Sequence, residues 1–322
     1  MINEKLIPSL KKGKNLLAFS YGSDSCALFF ILLKHEINFD LVLINYGVRA
    51  SSDEEEDCAR KLALKFNKKF YSTKAPIFTS NFEKNARDFR YKFFDELCKK
   101  HKYDNLLLAH NLNDRLEWFL MQFSRGAGVL ELYDFKDCKQ MQGYKILRPL
   151  LFTSKREILG FLRDNELKFF HDESNDDERY FRNYIRKKYS NSFIQEFESG
   201  VKKSFSYIEK DLEFFRADEK EFCGIYICDI RENFIAKCAK KLGFVLSHKQ
   251  RKEALKGDCV ISKDLGLCYF KNKALLFKYE KSEKMPKTVR EEFRKAKIPP
   301  LLRAYLYNKQ IKIDEFLALF TL

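Results

Sequence analysis

The sequence predicts an α/β protein, a doubly wound parallel sheet followed by a smaller, mainly helical C-terminal domain. Three observations carry this: short apolar runs alternate with helix-length segments as far as residue 123, Arg148-Pro149 closes that alternation, and the remainder is mostly of helical spacing. Residues 15–19 (NLLAF) make a first buried strand, and 26–34 continue as an apolar helix. Residues 39–45 (FDLVLIN) make a second strand, and Ser51 and Ser52 stand three residues before Glu54 and Glu55, a capping-box pattern that opens the next helix. A brief strand at 70–73, a helix over 81–100, a buried strand at 105–109 (NLLLA) and a helix over 113–123 complete the alternation. Ligands of such sheets bind beyond the carboxyl ends of the strands, so the loops after Phe19, Asn45 and Ala109 are the expected site.

Beyond Pro149 a helix is expected over 154–167, an acidic then basic loop over 169–183, and one long helix or two over 183–213. From about residue 221 come short helical segments and a strand-like pair around Gly266, 260–262 and 267–271, followed by 274–278. We set the domains at 1–190 and 191–322. The last stretch, 281–322, holds ten Lys and Arg against five Asp and Glu.

Composition excludes several classes. At 322 residues, 45% hydrophobic and 33% charged, the chain is neither disordered nor collagenous, and its apolar runs end well short of the ~20 residues a membrane span needs. The N-terminus lacks a secretory pattern, so the cytoplasm is the expected location. Nine cysteines without a C-x-x-C pair and five scattered histidines argue for reduced thiols, not a zinc site, iron–sulfur cluster or disulfide framework. A formal net charge of +15 suits a polyanionic partner, although lysine-rich composition alone produces the same excess.

The strongest local signal is Ser20-Tyr21-Gly22-Ser23-Asp24-Ser25, between a buried strand and an apolar helix. Backbone N–H groups, serine hydroxyls and the positive end of a helix dipole there suit a phosphate; a Ser/Asp helix cap after a tight turn has the same look. No Walker A loop occurs, and Gly126-Ala127-Gly128 has Glu131 where a dinucleotide fingerprint needs its third glycine.

Strand, S-G-G-x-D-S, helix is the signature of the PP-loop ATP pyrophosphatases. Further stretches follow in one order. Asn45-Tyr46-Gly47-Val48-Arg49 resembles H-G-L-R; Glu83, Ala86-Arg87 and Arg90-Tyr91 resemble E-x-x-A-R-x-x-R-Y; Ala109 to Glu117 resembles A-H-H-x-D-D-x-x-E, with Ser124-Arg125-Gly126 after it. Arg148-Pro149-Leu150, Asp172-Glu173-Ser174-Asn175 and Arg182-Asn183-Tyr184-Ile185-Arg186 match R-P-L, D-x-S-N and R-N-x-I-R. Over residues 15–187 the chain thus resembles the tRNA(Ile)-lysidine synthetase family. It departs from the pattern at Tyr21, in place of the first loop glycine, at Asn111, in place of the second His, and at Asn113, in place of the first Asp. A tyrosine at a glycine position must find an ordinary φ or displace something.

The resemblance implies an adenine-nucleotide-binding PP-loop fold and a ligase that joins L-lysine to C2 of the first anticodon base, a cytidine, in isoleucine tRNA with a CAU anticodon. ATP first adenylates the cytosine carbonyl oxygen with loss of pyrophosphate, and AMP then leaves. Ser20, Tyr21, Gly22, Ser23, Asp24 and Ser25 are then expected to bind ATP, with Asp24 as the Mg²⁺ ligand. His110, Asp114 and Asp24 are the expected catalytic residues; either His110 or a carboxylate could take the proton of the attacking amine. His110, Asp114, Glu117 and Arg90 are expected at the lysine, and Arg87, Arg182, Asn183, Arg186 and the basic C-terminal domain at the tRNA. Without the family, Asp114 and Glu117 read as surface charge, the arginines as solvated or as partners of the Asp and Glu in Asp172 to Glu178, and Trp118, Phe119 and Phe123 as helix core. Rival readings are a PP-loop tRNA thiolase, which usually needs a cysteine pair, a non-catalytic RNA-binding protein, and a small-molecule amidotransferase-type enzyme. The sequence leaves the oligomeric state, monomer or homodimer, open.

Overall fold

The computed structural model describes residues 1–47, 52–78, 80–170, 180–216, 220–280 and 285–320. Val48, Arg49, Ser51 and the acidic run from Asp172 to Glu178 lie outside the described residues. The chain forms two compact units, residues 1–127 with 132–206, and residues 128–131 with 207–322.

In the first unit a short turn leads into α1 (Ile7–Lys12), followed by β1 (Asn15–Ala18), α2 (Ser23–Lys34), β2 (Phe39–Asn45), α3 (Ser52–Lys65), β3 (Phe70–Lys74), α4 (Phe82–His101), β4 (Asn105–Leu107) and α5 (Leu112–Phe123). After α6 (Val129–Leu132) come β5 (Cys138–Gln140), β6 (Lys145–Leu147), α7 (Lys155–Asp164), α8 (Phe181–Ile185) and a π turn at Arg186–Ser190. The sheet order is β3-β2-β1-β4-β6-β5; all neighbours are parallel except β5, which runs antiparallel on the edge. From β1 the chain builds outward through β2 and β3, then returns to place β4 on the other side of β1. The topological switch point is therefore between β1 and β4, where a crevice opens beyond their carboxyl ends.

Strand alternation supplies two cores. Leu17 and Leu107 face a cluster with Leu10 of α1, Phe29 and Leu32 of α2 and Ile158 and Leu162 of α7, while Leu16 and Leu106 face Phe94 and Leu97 of α4. At the opposite end of the strands, Asn105 donates to Asn15 Oδ1 at 2.9 Å, and Asn15 Nδ2 reaches Leu10 and Asn38 carbonyls. These buried amides tie β1, β2 and β4 in register.

The helix α9 (Asn191–Arg216) is broken at Phe197 (φ −118°, ψ 25°), so the alternatives of one helix or two meet in a kinked single element. The compact units divide between residues 206 and 207, within the kinked helix, whereas the boundary expected from sequence is after residue 190. Ile194, Val201 and Phe205 are buried, and Phe205 packs on Phe119 and Tyr133 in the first unit.

The second unit continues with β7 (Lys220–Phe222), β8 (Ile225–Asp229), α10 (Glu232–Lys241), α11 (His248–Ala254), β9 (Cys259–Ile261), β10 (Leu265–Phe270), β11 (Lys273–Lys278), α12 (Lys287–Lys295), α13 (Pro300–Asn308) and α14 (Ile313–Ala318). Helical residues outnumber strand residues, yet the core is a five-stranded antiparallel sheet, β7-β8-β11-β10-β9. Lys271 and Asn272, both at positive φ, close the β10–β11 hairpin as a two-residue turn. Gly266 is inside β10, where a Cβ would come within 2.6 Å of the Phe277 ring on the neighbouring strand. No helix among the described residues is long and apolar enough to cross a membrane.

Candidate active site

The loop between β1 and α2 is organised by its own serines. Ser25 Oγ donates to the Gly22 carbonyl at 3.0 Å and lies 3.3 Å from both Ser20 N and Ser20 Oγ, while Gly22 N points at Ser20 Oγ. Tyr21 takes φ +57°, the left-handed region that favours glycine. Its ring lies edge-on to Phe19 and Phe170, each centroid 5.2 Å away. Its carbonyl accepts from Phe170 N at 3.0 Å. A left-handed tyrosine costs about 1 kcal/mol, which ring burial of this kind offsets.

Asp24, in the first turn of α2, is bound from two directions. Lys155 Nζ reaches Oδ1 at 2.8 Å and Oδ2 at 2.9 Å, and Asn111 Nδ2 donates to Oδ1 at 3.1 Å. Burial raises its carboxyl above the ordinary range, nearby Asp114 adds to this, and Lys155 and Asn111 oppose it. Asn111 also caps α5 in a reciprocal box with Asp114, so the loops after β1 and β4 are joined across the switch point.

His110 precedes that cap. Its Nδ1 accepts from Arg148 Nε at 3.3 Å, and its ring meets Phe135 edge-on. Desolvation pushes its pKa down to about 3; the charges of Arg148, Arg182 and Arg90 act the same way, and Asp114 opposes them. With Nδ1 accepting from Arg148, the neutral imidazole carries its proton on Nε2, which suits a hydrogen-bond donor.

Asp114 and Glu117 face two arginines instead of solvent. Arg182 reaches Asp114 Oδ1 at 2.7 Å and Glu117 Oε2 at 2.8 Å; Arg186 reaches Glu117 Oε1 at 2.7 Å and Oε2 at 3.1 Å. Glu117, whose side chain is 1% exposed, has both oxygens engaged by the arginines. Two guanidinium groups, Arg182 and Arg186, here balance two carboxylates. Asn183 Oδ1 lies 3.4 Å from Arg186 Nη1. The arginines hold Asp114 below the usual carboxylate range, whereas burial raises Glu117. Arg87 is exposed, its guanidinium 4.8 Å over the Tyr91 ring, and Arg90 is near enough to Tyr46 and His110 to act on both electrostatically. Phe123, expected in the core, is 64% exposed, while Trp118 stacks on Phe135.

The PP-loop domain family model matches residues 2–192. A tRNA(Ile)-lysidine synthase of Campylobacter jejuni is 54% identical over 315 residues, covering 97% of this chain and 98% of its own. The chain belongs to the tRNA(Ile)-lysidine synthase family. Family members from Helicobacter pylori (38% identical, 94% of this chain and 92% of theirs) and Wolinella succinogenes (36%, 92% and 94%) match along nearly their whole lengths. A U34-tRNA thiolase from Methanococcus maripaludis, solved with its 4Fe–4S cluster, shares the fold at TM-score 0.52 and 19% identity, covering 65% of this chain and 78% of that one. The cysteines here are free thiols, and no group of three metal-type ligands occurs among the described residues.

For a member of the tRNA(Ile)-lysidine synthase family, the two asparagine departures acquire physical reasons. Asn111 ties the cap of α5 to Asp24. Asn113 accepts from Lys155 N at 3.0 Å and donates to Asn191 at 3.1 Å, joining α5, α7 and α9. Sequence reasoning passed over Lys155. Its signal was two cations, Lys155 and Arg156, directly after the capping Ser154, at the helix end that repels positive charge; each finds a carboxylate, Asp24 and Glu198. A separate cleft of about 540 Å³, lined by Pro8, Lys12, Asp104 and Tyr144, opens at the amino ends of the strands and is unconnected with this chemistry.

Proposed function

We propose that this chain, in the cytoplasm, attaches L-lysine to C2 of the first anticodon base, a cytidine, of isoleucine tRNA with a CAU anticodon, in two steps. The cytosine carbonyl oxygen attacks the α-phosphorus of ATP and pyrophosphate leaves; the lysine amine then attacks C2 and AMP leaves. The observation that carries this reading is the joining of the phosphate loop to the His110–Asp114 turn through the Asn111–Asp24 hydrogen bond. Activation and amine attack need adjacent sites, and the switch point supplies them.

In this reading the backbone of residues 20–25 cradles phosphate, held open by the Ser20–Ser25 contacts. Mg²⁺ usually keeps most of its ligands from phosphates and water with one or two carboxylates, and Asp24, the acidic residue of the loop, fits that single-carboxylate role. When bound, the ion supplies positive charge to the phosphates. His110 offers Nε2–H to an oxygen that gains charge during adenylation. Lysine meets Asp114 and Arg182, more exposed than Glu117 and Arg186, while Glu117 positions both arginines. With those arginines engaged internally, Arg87 and the basic stretch 281–322 carry the tRNA contacts.

The test is incubation with total tRNA, ATP and labelled lysine. Label stable to both acid and base, appearing only with ATP, supports the reading, since an aminoacyl ester would be lost in base. Absence of label, or transfer of sulfur in place of lysine, overturns it.

A further inference from the structure

We propose that Lys155 is a phosphate-binding residue of the ATP site: its ammonium holds Asp24 when the nucleotide is absent and bonds to a phosphate oxygen when ATP is present. This deepens the nucleotide-binding reading above and rests on it. Lys155 Nζ makes three contacts, with Ser23 Oγ at 2.6 Å and the two Asp24 oxygens at 2.8 and 2.9 Å, so all three of its donors are spent on the phosphate loop. Its backbone is fixed from both sides. Ser154 caps α7 in a reciprocal box with Glu157, and the Lys155 N–H donates to Asn113.

Charge argues for more than a structural tie. A triphosphate brings about four negative charges beside the Asp24 carboxylate, and an ammonium at hydrogen-bond distance from that loop offsets part of them whether or not Mg²⁺ is bound. Among the described residues, Arg148 pairs with His110 and the Lys136 carbonyl, and Arg182 and Arg186 with Asp114 and Glu117. The side-chain partners of Lys155, Ser23 and Asp24, are both loop residues, and its side chain is 36% exposed, within reach of an incoming ligand. A flexible four-carbon stem lets the ammonium exchange an Asp24 oxygen for a phosphate oxygen without moving α7.

The experiment is equilibrium ATP binding by the full chain in EDTA and again with Mg²⁺, for the wild type, Lys155→Met, Lys155→Arg, Asp24→Asn and the Asp24→Asn/Lys155→Met pair, with thermal unfolding of each. Expected are about ten- to a hundredfold weaker binding for Lys155→Met in both media, most of it restored by Lys155→Arg, and a similar loss when Lys155→Met is added to Asp24→Asn. Lys155→Gln replaces the Met variant should that one unfold. If the Lys155→Met loss vanishes in the Asp24→Asn background, Lys155 acts only by neutralising Asp24 and the proposal fails. It fails equally if melting drops while ATP affinity is unchanged. A wild type that binds no ATP would overturn the nucleotide-binding reading itself.

Discussion

At the scale of single residues, the site is governed by how two titratable groups are displaced. Asp24 has a raised carboxyl, so adenylation should lose activity as pH falls through a range above that of an ordinary carboxylate, and Asp24→Asn should remove that limb along with about a thousandfold of the rate, read by pyrophosphate exchange into ATP. His110 is displaced the other way. Unfolded histidine takes up its proton near pH 6.5, whereas folded His110 does so at about 3, so between those values the unfolded chain holds more protons and stability falls as pH falls. The loss should be on the order of a few kcal/mol across that window, smaller in His110→Gln, and nitrogen NMR should show no titration of His110 between pH 5 and 8. A histidine titrating near 6.5 would remove the neutral-donor role. Much at this scale was legible: the loop Ser20 to Ser25, His110 and Asp114 converge as their motifs imply. What the sequence hid was pairing. Nothing in the spacing of Arg182 and Arg186 says that they fold back on Asp114 and Glu117, because the partners are some 65 residues apart in the chain and meet only through packing.

Elements were most legible where burial on both faces makes a continuous apolar run. β1, β2 and β4 were readable for that reason, and α4 and α5 by their helical spacing. β5 and β6 are three residues each and partly polar, and β7 and β8 lie among charged residues, so neither periodicity nor length marked them. α8 and the π turn after it are held by Glu117 of α5 more than by their own length. Glu117→Gln should therefore leave two guanidinium groups short of a buried counter-charge and destabilise the first unit by about 3 kcal/mol, with faster proteolysis around residues 181–190. The measurement is urea unfolding beside limited digestion. Unchanged stability would mean that water solvates the arginines and that Glu117 is free to meet lysine after all. In the second unit, Gly266→Ala drives a methyl into the Phe277 ring and should cost about 1–3 kcal/mol by the same urea titration. A neutral outcome would mean that the β10–β11 pair spreads without penalty.

Over the whole molecule, charge separates the work. The net +15 is spread along the chain, but the cluster at the switch point is internally balanced, two arginines against Asp114 and Glu117 and one lysine against Asp24, so it contributes little attraction for RNA. The stretch 281–322, with twice as many basic as acidic residues, follows every motif tied to chemistry. Electrostatic binding to a polyanion releases counterions, and the slope of affinity against salt counts the contacts. A chain ending at Ser206 keeps the parallel sheet, the phosphate loop and the arginine cluster, but it leaves Leu130 without the core it packs against in the second unit. Leu130→Ser in that shortened chain removes the exposed apolar side chain. Such a protein should bind ATP with near-normal affinity, bind tRNA more weakly than the full chain at moderate salt, and show a shallower salt dependence. Titrations of tRNA at several salt concentrations, with ATP binding measured on the same preparation, check all three. Equal tRNA affinity with an equal slope would assign the RNA contacts to the first unit, leaving Arg87 and its exposed neighbours on α4 to carry them.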